Sequence, residues 1–258
     1  MDIFALIGMV LGVGFILVGQ AMEGGNVGQL LQITAAFIVL GGTSGAVVLS
    51  FPPAVLKEAV MLFKDVIMPP KVDLEGLITE IVNFATKARK EGVIALEKES
   101  VNASDPLLRF GLEIVADGTD PTLVRGMLEN QVEQLENKIM GGAKVYEAFG
   151  GYSPTLGIIG AVLGLIQVMQ NLSDPSKLGE GIAVAFVATI YGLMAANLYM
   201  LPCFNRIKVI YGHVFLAKNV IIEGVLAIQA GESPTLISRK LNSFILGAKA
   251  KSEEKGGN

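Results

Sequence analysis

Four stretches of this chain contain no Asp, Glu, Lys, Arg or His: residues 3–22, 24–56, 148–173 and 181–205, of 20, 33, 26 and 25 residues. A helix rising 1.5 Å per residue needs about 20 mainly apolar residues to cross a hydrocarbon core about 30 Å thick. Each stretch is long enough, and four such lengths in 258 residues are hard to bury in a water-soluble fold. Composition agrees: only 17% of residues are charged and mean hydropathy is +0.57, where a soluble domain carries about 25% charged residues. The pattern predicts an all-α integral membrane protein, with four transmembrane helices and a helical cytoplasmic domain.

The same counts exclude several functions. A net charge of −4 lacks the basic footprint of a nucleic-acid binder. A single cysteine, Cys203, and a single histidine, His213, rule out zinc sites built from Cys and His. They also rule out Cys-His or Ser-His-Asp catalysis unless His213 takes part. No glycine loop precedes a helix in a phosphate-binding pattern, and no paired acids suggest a pocket, so the expectation is no enzyme, no catalytic residue, no metal and no cofactor. The opening Met-Asp-Ile has no positive n-region, and Gln-Ala-Met-Glu is a poor cleavage site. The first span reads as a retained helix.

Cations set the orientation. Residues 1–50 contain no Lys or Arg, residues 51–150 contain eleven, residues 203–258 contain eight, and only Lys177 lies elsewhere. Because cytoplasmic loops keep the positive charge, both cationic regions and both termini are expected in the cytoplasm. The connections at 20–29 and 171–180 then lie outside.

Four regions follow. Residues 1–50 form a first transmembrane hairpin, with spans near 3–22 and 28–50. Residues 51–147 form a cytoplasmic helical domain, opening with a helix over 51–70 that reads as lying in the inner interface or as extending the second span. Residues 148–205 form a second hairpin, with spans near 150–171 and 181–203, and residues 206–258 a cytoplasmic helical extension ending in a charged, disordered tail from 249. In the cytoplasmic domain, Leu74, Leu77, Ile78, Ile81 and Phe84 recur at helical spacing after Asp73. Ser104-Asp105-Pro106 and Thr119-Asp120-Pro121 each read as a cap followed by Pro in the first turn. Leu128, Val132, Leu135 and Ile139 make an amphipathic stripe that must lie against something, with Gly141-Gly142 as a point of loosening. Beyond the fourth span the helix reads on through 207–228 to Gly231, and Ser233-Pro234 starts a helix carrying Leu236, Ile237, Leu241 and Phe244.

Ionisable groups inside a bilayer usually mark an ion or proton pathway, and these spans have none. Either the chain is structural, or a channel lined by uncharged polar groups, or it houses a carboxylate brought by a partner helix. Gly160 and Gly164 stand at GxxxG spacing in the third span, with Gly157 and Ala161 adding small residues, and the fourth span carries Ala183, Ala185, Ala188 and Gly192. Small faces let helices approach closely in lipid. Thr189 is the mid-membrane hydroxyl of the fourth span, and its plain role is to bond the carbonyl four residues earlier. Ser153-Pro154 reads as a cap-then-Pro start of the third span, and Pro202 as a kink near the end of the fourth.

The chain resembles the MotA-type stator subunits of the bacterial flagellar motor over nearly its whole length. The likeness rests on Phe37-Ile38-Val39-Leu40-Gly41-Gly42-Thr43, on Ala88-Arg89-Lys90-Glu91-Gly92 followed by Ala95-Leu96-Glu97, and on Val115-Ala116-Asp117-Gly118. It continues in Ala148-Phe149-Gly150, the segment from Pro154 to Gly164, and Tyr191-Gly192 through Pro202. The resemblance implies a homopentamer around two helices of a MotB-type single-span subunit whose Asp carries the ion, with ion flow turning the ring for motility. It implies a rotor switch-complex partner of the FliG type, contacted through Arg89 and Glu97, and coupling of channel to rotor through Pro154 and Pro202. Thr189 matches the threonine near the ion-binding Asp. Sodium-driven members carry threonine where Ala161 stands, so the resemblance implies protons as the transported ion. Two other readings compete. An ExbB- or TolQ-like energiser of outer-membrane processes has three spans rather than four, and a stand-alone transporter or channel would pass ions unaided.

Overall fold

The computed structural model describes residues 2–172 and 175–256. All regular structure among them is helical, and four helices are long and apolar enough to cross a membrane. The chain divides into two compact units, residues 1–70 with 138–210 and residues 71–137 with 211–258.

The first unit holds the spans. The first span is Ile3–Met22, capped by the Asp2 carboxylate accepting from Phe4 N–H. The second runs over residues 33–50 as helix Ile33–Ala36, a π-turn Phe37–Gly41 and helix Gly42–Ser50. It does not extend into the next helix. Phe51 is extended, Pro52 starts a new turn, and Pro53–Ile67 is a separate helix. That helix docks on residues 138–146: Gly142 packs on Leu62 and Ala59, Tyr146 OH donates to the Ala59 carbonyl at 2.6 Å, and Lys138 pairs with Glu58 at 3.2 Å. Its last carbonyls, which no helical N–H can serve, accept from Arg206 Nε (Val66, 2.8 Å) and Asp2 N–H (Ile67, 2.8 Å).

The third span belongs to a 50-residue helix, Pro121–Gln170, with Pro154 inside it. The expected helix start at Ser153-Pro154 is therefore corrected: the turns before it are already helical, and Pro154 is an interior proline that removes one backbone donor. Gly141-Gly142 does not break this helix either, because Gly142 is packed. The fourth span lies within helix Pro175–Met194, a π-turn Ala195–Met200 and the start of helix Leu201–Gln229, whose later turns belong to the second unit. Its helix starts at Pro175, inside the connection expected over 171–180; Ser173 and Asp174 of that connection lie outside the described residues.

In the second unit, Asp73, Asp105 and Asp120 cap their helices, accepting from Gly76, Leu107 and Thr122 N–H at 2.9, 2.8 and 2.8 Å. Helix Leu74–Glu91 buries Leu77, Ile78, Ile81 and Phe84 against Leu112, Leu128, Ile221, Val225, Ile237 and Leu241. Of the last helix's expected apolar residues, Leu236 instead faces outward, 52% exposed. That helix is continuous over Pro234–Gly256, through the charged tail expected from 249. Ala, Lys and Glu, which dominate there, are good helix formers. Gly257 and Asn258 lie outside the described residues.

Candidate functional site

The third and fourth spans meet backbone to backbone. A methyl group built on Gly157 would lie 3.0 Å from the Ala188 carbonyl oxygen and 3.3 Å from Thr189 Cα; on Gly160, 2.6 Å from Ala188 Cβ; on Gly164, 2.6 Å from the Gly181 oxygen and 2.8 Å from Ala185 N. The fourth span answers with its own glycines: on Gly192 a methyl would lie 2.5 Å from the Ser153 oxygen and 3.2 Å from Pro154 Cα. Without a hydrophobic driving force between helices in lipid, such close contact is what holds spans together. The second span joins through Ala35 and Val39, packed on Val187 and Ala188, and through Ile38, which sits beside Gly160.

Thr189 lies in this interface, with its Cα beside Gly157, and Ala161 is half-buried one turn along from Gly157 on the third span. Ala161 falls between Gly157, which meets Ala188 and Thr189, and Gly164, which meets Gly181 and Ala185. Thr189 is half-buried, and its hydroxyl donates to the Ala185 carbonyl at 3.3 Å. Because the hydroxyl is the donor in that bond, its oxygen keeps its lone pairs for another group. Two residues further, Tyr191 OH donates to the Leu30 carbonyl at 2.6 Å and accepts from Gln32 N–H at 3.2 Å, which ties the turn Val27–Leu30 and the start of the second span to the fourth.

The two prolines are placed differently. Pro154 lies at the Gly192 contact. Pro202 is exposed and follows directly on the π-turn Ala195–Met200, in which Leu201 N–H bonds the Ala196 carbonyl. A widened turn thus immediately precedes the position of the expected kink. Beside it is a cavity of about 350 Å³ lined by Phe4, Gly8, Val66, Leu198, Pro202 and Arg206. At its rim Arg206 pairs with Asp2. Burial works to raise the Asp2 carboxyl, but the Arg206 hydrogen bond and charge outweigh it and hold the group below its ordinary value.

Arg89 and Glu97 are both exposed, and neither makes an ion pair among the described residues. They do not share a helix. Gly92, at φ +85°, ends Leu74–Glu91 in a conformation that favours glycine, and Glu97 stands in the short helix Leu96–Glu99. Their neighbour Glu99 is committed instead to Lys87 at 2.6 Å, whose hydrogen bond holds its carboxyl below the ordinary value. Sequence reasoning singled out Gly157, Gly160 and Gly164 but gave Gly181 no role and Gly192 only a small-residue one. What they do depends on which backbone lies opposite, and spacing within one helix does not carry that. It also gave no separate role to Tyr191, whose signal was only a polar aromatic inside an apolar run.

Uncharged helices joined through glycine, with half-buried hydroxyl chemistry but no acid or base of their own, define a channel-building subunit of an integral-membrane assembly. The profile of the MotA/TolQ/ExbB proton channel family matches residues 99–218, and that of the motility protein A N-terminal region matches residues 6–92. Motility protein A of Helicobacter pylori is 33% identical over 95% of both chains. The structure of C. jejuni MotAB superposes with a TM-score of 0.88 at 30% identity over 95% of this chain and 96% of that one. The flagellar MotAB stator complex of Bacillus subtilis gives 0.84 at 32% identity over 98% of both. The chain belongs to the motility protein A family: it is an ion-channel subunit of the flagellar stator in the inner membrane, and not an enzyme.

Proposed function

We propose that this chain couples proton flow to rotation. Five copies surround two helices of a MotB-type single-span partner, whose membrane Asp carries the proton past the glycine-lined third and fourth spans. The observation that carries this reading is the lack of any Asp, Glu, Lys, Arg or His in the four stretches: the titrating group has to come from another chain. Ala161 supports protons over sodium, because a hard cation needs several oxygen ligands and alanine offers none beside the Thr189 hydroxyl. Pro154 and Pro202 transmit the channel's movement, and Arg89 and Glu97, exposed and uncommitted, engage a FliG-type rotor protein by charge complementarity. Both termini face the cytoplasm, where the cations concentrate, the helix Pro53–Ile67 rests on the inner lipid interface, and the spans' exposed aliphatic faces contact lipid.

The test is rotation of tethered cells whose only stator A subunit is this chain, expressed with its B partner. A proton uncoupler is expected to stop rotation and sodium removal to leave it unchanged. Motility that requires sodium and survives the uncoupler would overturn proton coupling. The purified chain alone is expected to pass no protons across vesicles.

A further inference from the structure

Ser153 is fully buried, and its hydroxyl has no hydrogen-bond partner among the described residues. A serine inside a helix ordinarily turns its hydroxyl back to a carbonyl three or four residues earlier, as other hydroxyls in this unit do. Thr43 donates to Val39 at 2.5 Å, Ser50 to Ala46 at 2.8 Å, and Thr155, two residues from Ser153, to Tyr152 at 2.7 Å. The neighbouring residue supplies the contrast. Pro154 has no N–H, so the carbonyl four residues earlier, that of Gly150, loses its helical donor. Gly150 is buried too, with a methyl on it meeting Leu201 at 2.7 Å, so water has little access to that carbonyl. An uncommitted buried donor and a stranded buried acceptor therefore stand three residues apart on one helix. Opposite them the fourth span presents Gly192, which has no side chain to block a bend.

We propose that the Ser153 hydroxyl is the replacement donor for the Gly150 carbonyl, engaged when the third span bends at Pro154 and released in the state described. Ser153 is then a positioning residue for the proline hinge, giving the bent form a hydrogen bond that the backbone cannot make. The inference rests on the coupling role proposed for Pro154.

The test uses the full chain with its B partner, as wild type, Ser153→Ala and Ser153→Cys. Cysteine keeps nearly the same size but is a weak donor. Two measurements are made. Amide exchange over residues 150–158 reads opening of the hinge whether or not the chain turns a rotor, and motor speed at low load reads coupling. Both variants are expected to slow exchange over this stretch, because the bent form loses its bond, and to lower speed several-fold. The thermal midpoint is expected to stay at or above the wild-type value, because no bond is lost from the state described. Wild-type exchange and speed in Ser153→Cys would overturn the proposal, as would a lowered midpoint in both variants, which marks a packing residue. If the wild type fails to rotate, the functional reading falls, and the exchange result still decides the role of Ser153.

Discussion

Gly160 and Ala188 face each other across the third and fourth spans with no room for one more carbon: a methyl on Gly160 would lie 2.6 Å from Ala188 Cβ and 3.4 Å from Ile38 Cγ2. Three spans converge on that point. Gly160→Val is therefore expected to force them apart, at about 1–3 kcal/mol for an overpacked interior, read as a lower thermal midpoint of the purified chain. Gly126→Ala is the contrasting substitution. Gly126 is exposed on a helix, with nothing within 4 Å of an added methyl, so alanine is expected to stabilise by about 0.5–1 kcal/mol. Equal effects from the two variants would refute the packing argument.

In the second unit, Glu223 accepts from Arg125 Nη2 at 2.9 Å and from Lys240 Nζ at 3.0 Å. Burial pushes its carboxyl up, but these two cations outweigh that and hold it below the ordinary glutamate value. A carboxyl whose folded value is depressed contributes stability that is present above its unfolded value and lost as pH falls through the folded one. Wild type is thus expected to exceed Glu223→Gln in thermal midpoint near neutrality, by a margin fitting about 1 kcal/mol for partly exposed pairs. The gap is expected to close as pH drops below the ordinary carboxylate range. A gap that stays constant into acid would mean the difference is packing rather than charge.

What the sequence made legible was local. The caps at Asp105 and Asp120 each need one carboxylate and the next turn, and the stripe through Leu77, Ile81 and Phe84 needs only a period of 3.6 residues. Ser153-Pro154 carries the same local signal as Asp105-Pro106 but stands in the middle of a helix. The difference lies in the turns on either side, which are helical before Pro154 and irregular before Pro106. Gly157, Gly160 and Gly164 were legible as a small face, whereas the depth of their contact with Ala185 and Ala188 depends on the crossing of two helices. The separation of Arg89 from Glu97 turned on Gly92, whose positive φ a helical wheel does not foresee.

The rotor contact proposed for Glu97 can be probed by charge reversal, because the side chain has no ion pair among the described residues that the change would disturb. Glu97→Lys is expected to leave the thermal midpoint within about 0.5 kcal/mol of wild type, as surface changes do. It is expected to weaken binding to the isolated rotor protein by about 1 kcal/mol, roughly fivefold. The loss should shrink as salt is raised past physiological strength and be partly rescued by a charge change in the rotor protein. A binding loss indifferent to salt would show that the contact is not electrostatic.

Pro154→Ala separates stability from coupling. Alanine restores an N–H to serve the Gly150 carbonyl, and an interior proline costs a helix about 3 kcal/mol, so the variant is expected to insert, assemble with its partner and melt higher than wild type. Its site leaves room for this: the neighbouring Gly192 contact is made to Pro154 Cα, at 3.2 Å from a built methyl, which alanine keeps. If the bend at Pro154 transmits ion movement to the rotor, the more stable helix should conduct force poorly, and torque measured on tethered cells should fall steeply while stator incorporation persists. A variant that melts higher and turns at wild-type torque would leave Pro154 without a coupling role. One that melts lower would mean the proline ring itself packs the interface. The two measurements, made on the same preparation and strain, therefore assign the residue without reference to any other.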